Sequence, residues 1–169
     1  IICTSKALGG GLPLSAIIGK EKIFSTWSPG AYVSTQAGNA LACSAGNYVL
    51  DTISNQSFLD QVNQKGRYFF KSIKKLKKKY KLIGYVDNCG LYTGVEIVRN
   101  NKTKEPAGIE SNYIRDLCVK EGLLFEKGGY YHNRLQLIPP LNIDLNDLKK
   151  CIDILDMVFE KTSKKFKIE

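Results

Sequence analysis

The sequence predicts an α/β chain in two parts, the second a small α+β domain, and three observations carry that expectation. Glycine-rich turns separate short apolar runs near the amino terminus. Two long stretches, 58–76 and 144–166, repeat apolar residues at helical spacing. Between them, β-rich runs alternate with one helix and end at prolines.

In order, residues 1–5 (IICTS) read as the end of a buried strand. The turn Gly9-Gly10-Gly11-Leu12-Pro13 follows, and 14–18 is a second apolar run, a hairpin-like layout. Residues 20–24 form a short helix, and 25–35, rich in Ser, Thr, Pro and Gly, an exposed loop. Over 38–53, Leu41, Ala42, Ala45, Tyr48, Val49 and Ile53 recur at spacings of one, three and four, which predicts a mostly buried helix. Asn55-Gln56-Ser57 breaks it, with Ser57 placed to cap the next helix. The domain boundary is expected here, giving 1–56 and 57–169.

The next helix carries Phe58, Val62, Phe69, Ile73 and Leu76 on one stripe and lysines on the other. Strands are expected at 82–86 and 91–98, then a loop over 100–108 with Pro106. A helix over 109–121 stops at Gly122. Strands at 123–126 and 134–138 follow, the second ended by Pro139-Pro140. The last helix, 144–166, buries Leu148, Ile152, Leu155 and Val158 or Phe159. There is no internal repeat.

Composition excludes several function classes. With 169 residues, 43% hydrophobic and 24% charged, the chain suits a soluble globular protein and contains no apolar run of membrane-spanning length. It opens on IICTSKALGG without Met or a basic leader, and reads as a fragment rather than as a secreted precursor. The five cysteines (Cys3, Cys43, Cys89, Cys118, Cys151) form no CxxC pair, and the single histidine, His132, stands apart from them. That argues against a metal site or a disulfide framework and for reduced thiols in a cytoplasmic protein. The net charge of +9 is concentrated in lysines 71–81 and 161–167. Both runs have helical periodicity and read as solvated faces. The rival reading, a non-enzymatic nucleic-acid-binding domain, lacks zinc-finger spacing, RNP-like aromatics or a recognition helix.

The segment with chemistry in it runs from Thr4 to Ala16, TSKALGGGLPLSA. It sets one lysine, Lys6, at the end of an apolar strand against a glycine turn. An amine partly shielded from water there is easier to hold neutral and nucleophilic. Glycines, having no Cβ, let the backbone pass close to a bulky ligand. The pattern suits a lysine that forms a Schiff base beside a flat cofactor.

This segment resembles the signature around the cofactor lysine of class III aminotransferases, in which Ser-Lys precedes a hydrophobic residue, a Gly-Gly-Gly turn and Pro-Leu. The match is nearly unbroken from Ser5 to Leu14. A second block, Ser34-Thr35-Gln36-Ala37-Gly38-Asn39-Ala40, is similar to the family segment with Thr, two residues and Gly-Asn before a helix. A third, Cys89-Gly90-Leu91-Tyr92-Thr93-Gly94-Val95-Glu96, looks like its glycine-leucine strand. Glu121-Gly122-Leu123-Leu124 and Leu137-Ile138-Pro139-Pro140-Leu141 match the closing strands, so the resemblance covers nearly the whole chain.

The resemblance implies the end of the large domain of a fold type I pyridoxal-phosphate enzyme, followed by its small C-terminal domain. It implies Lys6 as the Schiff-base lysine that also moves the proton, and Thr35, with Ser34 beside it, at the cofactor phosphate of a neighbouring subunit. Hydroxyls and N–H groups ahead of a helix suit that anion. The active unit would then be a homodimer with composite sites, taking an amino donor and a 2-oxo acid, with no nucleic-acid or membrane partner. The aspartate on the ring nitrogen and the ring-stacking residues lie upstream in the family, so the fragment alone is expected to be inactive. Racemisation, decarboxylation and phospho-lyase chemistry also occur on this scaffold.

Two departures stand out. Asp87-Asn88 occupies the place of an Arg-Gly common before the Gly-Leu strand. Gln136, three before the proline pair, stands where family enzymes using α-amino acids or 2-oxoglutarate commonly hold a carboxylate with arginine. Arg134, two residues earlier on the same strand face, is the nearest guanidinium. Either Arg134 substitutes through a register shift, or the carboxylate is bound elsewhere, or the substrate differs.

Overall fold

The computed structural model describes residues 1–168; Glu169, the last residue of the expected second domain, lies outside them. The chain divides into two compact units, Ile1–Leu59 and a second running from Asp60 onward.

The first unit opens with a hairpin. Strand β1 (Ile2–Thr4) pairs antiparallel with β2 (Ala16–Ile18), Ile2 opposite Ile18 and Thr4 opposite Ala16. Between them a 3₁₀ turn spans Lys6–Gly9 and closes at Gly10, whose φ of 59° lies in the left-handed region that glycine enters freely. A short α1 (Glu21–Phe24) leads through an exposed loop, with Phe24 and Trp27 edge to face at 5.3 Å, to α2 (Ala40–Ile53). The 3₁₀ turn packs on α2. Gly46 makes room: a Cβ there would stand 2.5 Å from Leu14 Cδ2 and 3.4 Å from the Leu8 carbonyl.

Two expectations fail in this unit. The hairpin strands are exposed rather than buried, Ile1 at 74% and Ile2 at 63%. Helix α2 buries only Ala42 and Gly46, while Leu41 and Tyr48 are 70% and 75% exposed. The periodicity was real, but the unit has little to lay against it beyond the glycine turn.

Helix α3 (Gln56–Lys79) begins in the first unit and continues into the second. Its cap is Asn55, whose Oδ1 accepts from the Phe58 N–H at 3.2 Å, and not Ser57, which lies inside the helix. The buried stripe is Val62, Gly66, Phe69, Ile73 and Leu76. Phe58 is half-buried, and the lysine face is exposed apart from Lys65 and Lys77, which are half-buried.

The second unit holds an antiparallel sheet in the order β3-β4-β7-β6. Strands β3 (Ile83–Cys89) and β4 (Tyr92–Asn100) form a hairpin turning at Gly90, φ 59°. A Cβ on Gly66 would sit 2.6 Å from the Gly90 carbonyl carbon, so the bare glycine lets α3 touch that turn. A two-residue β5 (Glu105–Pro106) lies against β4, within the stretch expected to be loop. Helix α4 (Gly108–Lys120) ends ahead of Gly122, φ 83°. Strand β6 (Glu126–Gly128) starts three residues later than expected. Its start is set by pairing with β7 (Arg134–Leu137), and residues 123–125 bridge the interval with Leu124 78% exposed. Helix α5 (Leu145–Phe166) closes the fold.

Alternation divides the sheet into two faces. Val86, Val95, Leu135 and Leu137 point inward and join Phe69, Ile73, Ile114, Leu148, Leu155 and Phe159, all buried. Asn133, 4% exposed, is clamped by its own amide: Nδ2 donates to the Ile97 carbonyl at 2.8 Å, while the Ile97 N–H donates to Asn133 O at 2.7 Å. Glu110 is also buried and accepts from Arg99 Nε at 2.7 Å. Tyr85, Asp87, Tyr92, Glu96, Arg134, Gln136 and Glu126 lie on the outer face.

Candidate active site

Lys6 stands where β1 ends, as the first residue of the 3₁₀ turn. Its φ is 54°, a left-handed backbone that costs a side-chain-bearing residue about 1–2 kcal/mol. Such strain persists where surrounding structure holds it, and it clusters at functional sites. Here the holding elements are the β1–β2 pairing before the turn and the Leu14–Gly46 contact after it. The Leu8 N–H also bonds Ser5 O at 3.2 Å, and the Gly10 N–H bonds Ala7 O at 3.1 Å. Lys6 is exposed, which corrects the expectation of a partly desolvated amine. Lys104, His132 and Lys167 share that left-handed backbone, so what sets Lys6 apart within this chain is its place between a strand end and the glycine turn. Beside it Gly11 has φ 106° and nothing within 4 Å of a Cβ position, so the turn leaves open space.

Ser34 and Thr35 are exposed and precede α2. The Ala37 N–H bonds Ser34 O at 3.0 Å, the Asn39 N–H bonds Gln36 O at 3.2 Å, and Asn39 Oδ1 accepts from the Ala42 N–H at 3.0 Å. That arrangement fixes a turn of hydroxyls ahead of a capped helix. Among the described residues no hydrogen bond joins Lys6 to Ser34 or Thr35. The donor set fits pyridoxal phosphate: an accessible amine on a strained backbone, open space over a glycine turn, and hydroxyls at a helix start for an anion.

Gln136 and Arg134 are both half-buried on β7. The β4–β7 register runs without interruption, Gly94 opposite Gln136 and Glu96 opposite Arg134, so no register shift moves Arg134 into the place of Gln136. Arg134 Nη2 instead donates to Asp87 Oδ1 on β3, reaching across Gly94. That bond holds the guanidinium charged, above its ordinary range. Sequence reasoning named Asp87 as a departure and missed this pairing. The partners lie 47 residues apart, and only the strand register brings them together.

An exposed lysine at a glycine turn, ahead of a capped helix in an α/β chain, is chemically compatible with a Schiff base. The family comparison goes further: the model described as aminotransferase class-III matches residues 1–159, and the chain belongs to that pyridoxal-phosphate-dependent family. It is 34% identical over 157 residues to an acetylornithine aminotransferase of Clostridium acetobutylicum, covering 92% of this chain and 38% of that protein. It is 35% identical over 158 residues to a leucine/methionine racemase of Thermococcus litoralis, covering 92% and 35%. A crystal structure of a Bacillus anthracis aminotransferase superposes with a TM-score of 0.84 at 26% identity, over 94% of this chain and 38% of that one. The chain thus spans little more than a third of the length of these relatives.

Proposed function

We propose that the chain is the end of the large cofactor-binding domain and the small C-terminal domain of an aminotransferase that moves an amino group from an amino acid or amine to a 2-oxo acid. What supports this reading is Lys6 at a strand end against a glycine turn, in the segment Ser5 to Leu14 that resembles the signature around the family's cofactor lysine. Pyridoxal phosphate, when bound, supplies the electron sink. Lys6 would hold it through the ε-amine and would move a proton at the substrate carbon. Ser34 and Thr35 hold the phosphate of a neighbouring subunit in a homodimer. Gln136 and Arg134 belong to the substrate-facing side of the sheet. The five unpaired cysteines support a reducing, cytoplasmic setting.

The test is Lys6→Ala in the protein that carries this chain. We expect loss of the visible absorbance of lysine-bound cofactor and of the borohydride-reducible adduct, with any remaining cofactor held noncovalently. An adduct retained in that variant excludes Lys6. The second reading, racemisation, is favoured by the 35% identity to the racemase. Loss of chirality from a single amino acid without any 2-oxo acid would select it over amino transfer.

A further inference from the structure

The two departures from the family pattern meet in one row of the sheet. Asp87 stands opposite Gly94, Gly94 opposite Gln136, and Gln136 opposite Glu126. Arg134 is rooted one row away, opposite Glu96 and Gly128, about 6.6 Å along the strand. Its guanidinium does not stay there. It leans over Gly94, where a Cβ would come within 2.7 Å of Nε, and its Nη2 meets Asp87. The Gln136 amide leans the opposite way, over Gly128, where a Cβ would overlap Nε2 and stand 3.1 Å from Cδ. Two bare glycines, one on each neighbouring strand, therefore let the two side chains lie over opposite sides of β7. The resulting face sets one paired guanidinium and one neutral amide among the carboxylates of Asp87, Glu96 and Glu126.

We propose that Asp87 is a specificity-determining positioning residue: by pairing with Arg134 over Gly94 it withholds the guanidinium from substrate, so that the amino acceptor is a monocarboxylic rather than a dicarboxylic 2-oxo acid. This rests on the reading above, in which the face of Gln136 receives substrate. A second substrate carboxylate brought to it meets a cation already neutralised and two further carboxylates, and like charges brought together are rejected. Discrimination here comes from a group made unavailable, in addition to any group that attracts.

The experiment uses the cofactor-loaded protein and the ratio of kcat/KM for 2-oxoglutarate over pyruvate. Asp87→Asn should raise that ratio roughly tenfold, about what one added charge-assisted hydrogen bond contributes, through a lower KM for 2-oxoglutarate alone. Asp87→Glu, which keeps a carboxylate within reach, should keep the ratio low. The double variant Asp87→Asn/Arg134→Gln should return it to the wild-type value. Calorimetric affinity for glutarate against propionate should follow the same order without turnover. An unchanged ratio in folded, loaded Asp87→Asn overturns the inference. So does a fall below wild type in the double variant, which shows that Arg134 already holds the acceptor; this arm decides even where the single variant does not fold. A wild-type protein that takes up no cofactor sinks the functional reading itself, whereas a loaded protein with an unmoved ratio sinks this inference alone.

Discussion

The first unit and the second bury their side chains in opposite ways. In the first, the buried residues are Gly9, Ala42 and Gly46, and Ile1, Ile2, Ile17, Ile18, Trp27, Leu41 and Tyr48 are at least half exposed. In the second, Phe69, Ile73, Leu82, Ile97, Leu135, Leu155 and Phe159 are at most 1% exposed. The unit with the candidate cofactor lysine has almost no interior of its own, while the unit with the candidate specificity face closes a core from its own residues. Open space is left at the turn in the first, and the opposed side chains of Arg134 and Gln136 are held on a paired sheet in the second.

Mutations can break or sharpen that contrast. The largest effect belongs to the second core. Phe159→Ala should lower the unfolding free energy of this chain by about 3–5 kcal/mol, whereas Ile18→Ala, in the exposed hairpin, should move it by no more than about 0.5 kcal/mol. Denaturant titration of both variants measures the difference, and equal losses would mean that the hairpin is covered after all. Next comes Gly66→Ala. The methyl would press on the backbone of Gly90, and the expected loss is about 1–3 kcal/mol. Gly30→Ala in the first unit meets nothing within 4 Å and should cost only the strain of its φ of 82°. The contrast fails if the two variants match.

The smallest effect is electrostatic. Burial pushes Asp156 up, but hydrogen bonds from Lys79 at 2.8 Å and from the Tyr80 hydroxyl outweigh it and hold the carboxyl below its ordinary 3.8. A depressed carboxyl stabilises the fold above the unfolded value and loses that contribution as pH falls through the folded one. Asp156→Asn should therefore be less stable than wild type at neutral pH, with the gap closing below about pH 4. The Asp156 side chain is 38% exposed, so solvent screening keeps the gap small. A gap that persists at pH 2 would assign the loss to packing.

Much of this was legible in the sequence. The stripe Val62, Phe69, Ile73, Leu76 located α3 because burial in the second unit comes from the chain's own residues. The same kind of periodicity over 38–53 located α2 and misjudged its exposure, since a pattern reports which face is apolar and not what lies against it. Ser57 lost the cap to Asn55, because two capping residues two apart compete and the helix began at the earlier one. The start of β6 and the Asp87–Arg134 pair depend on strand register, which local composition does not encode.

The left-handed backbone at Lys6 has a consequence for how the sequence drifts. A glycine at that position would relieve roughly 1 kcal/mol of conformational cost. Selection for a sturdier chain therefore pulls position 6 toward glycine, and under the proposed function selection for the amine pulls it back. In a lineage that no longer uses the chemistry, this is the site where the restraint disappears first, and its decay would leave the fold slightly more stable than before.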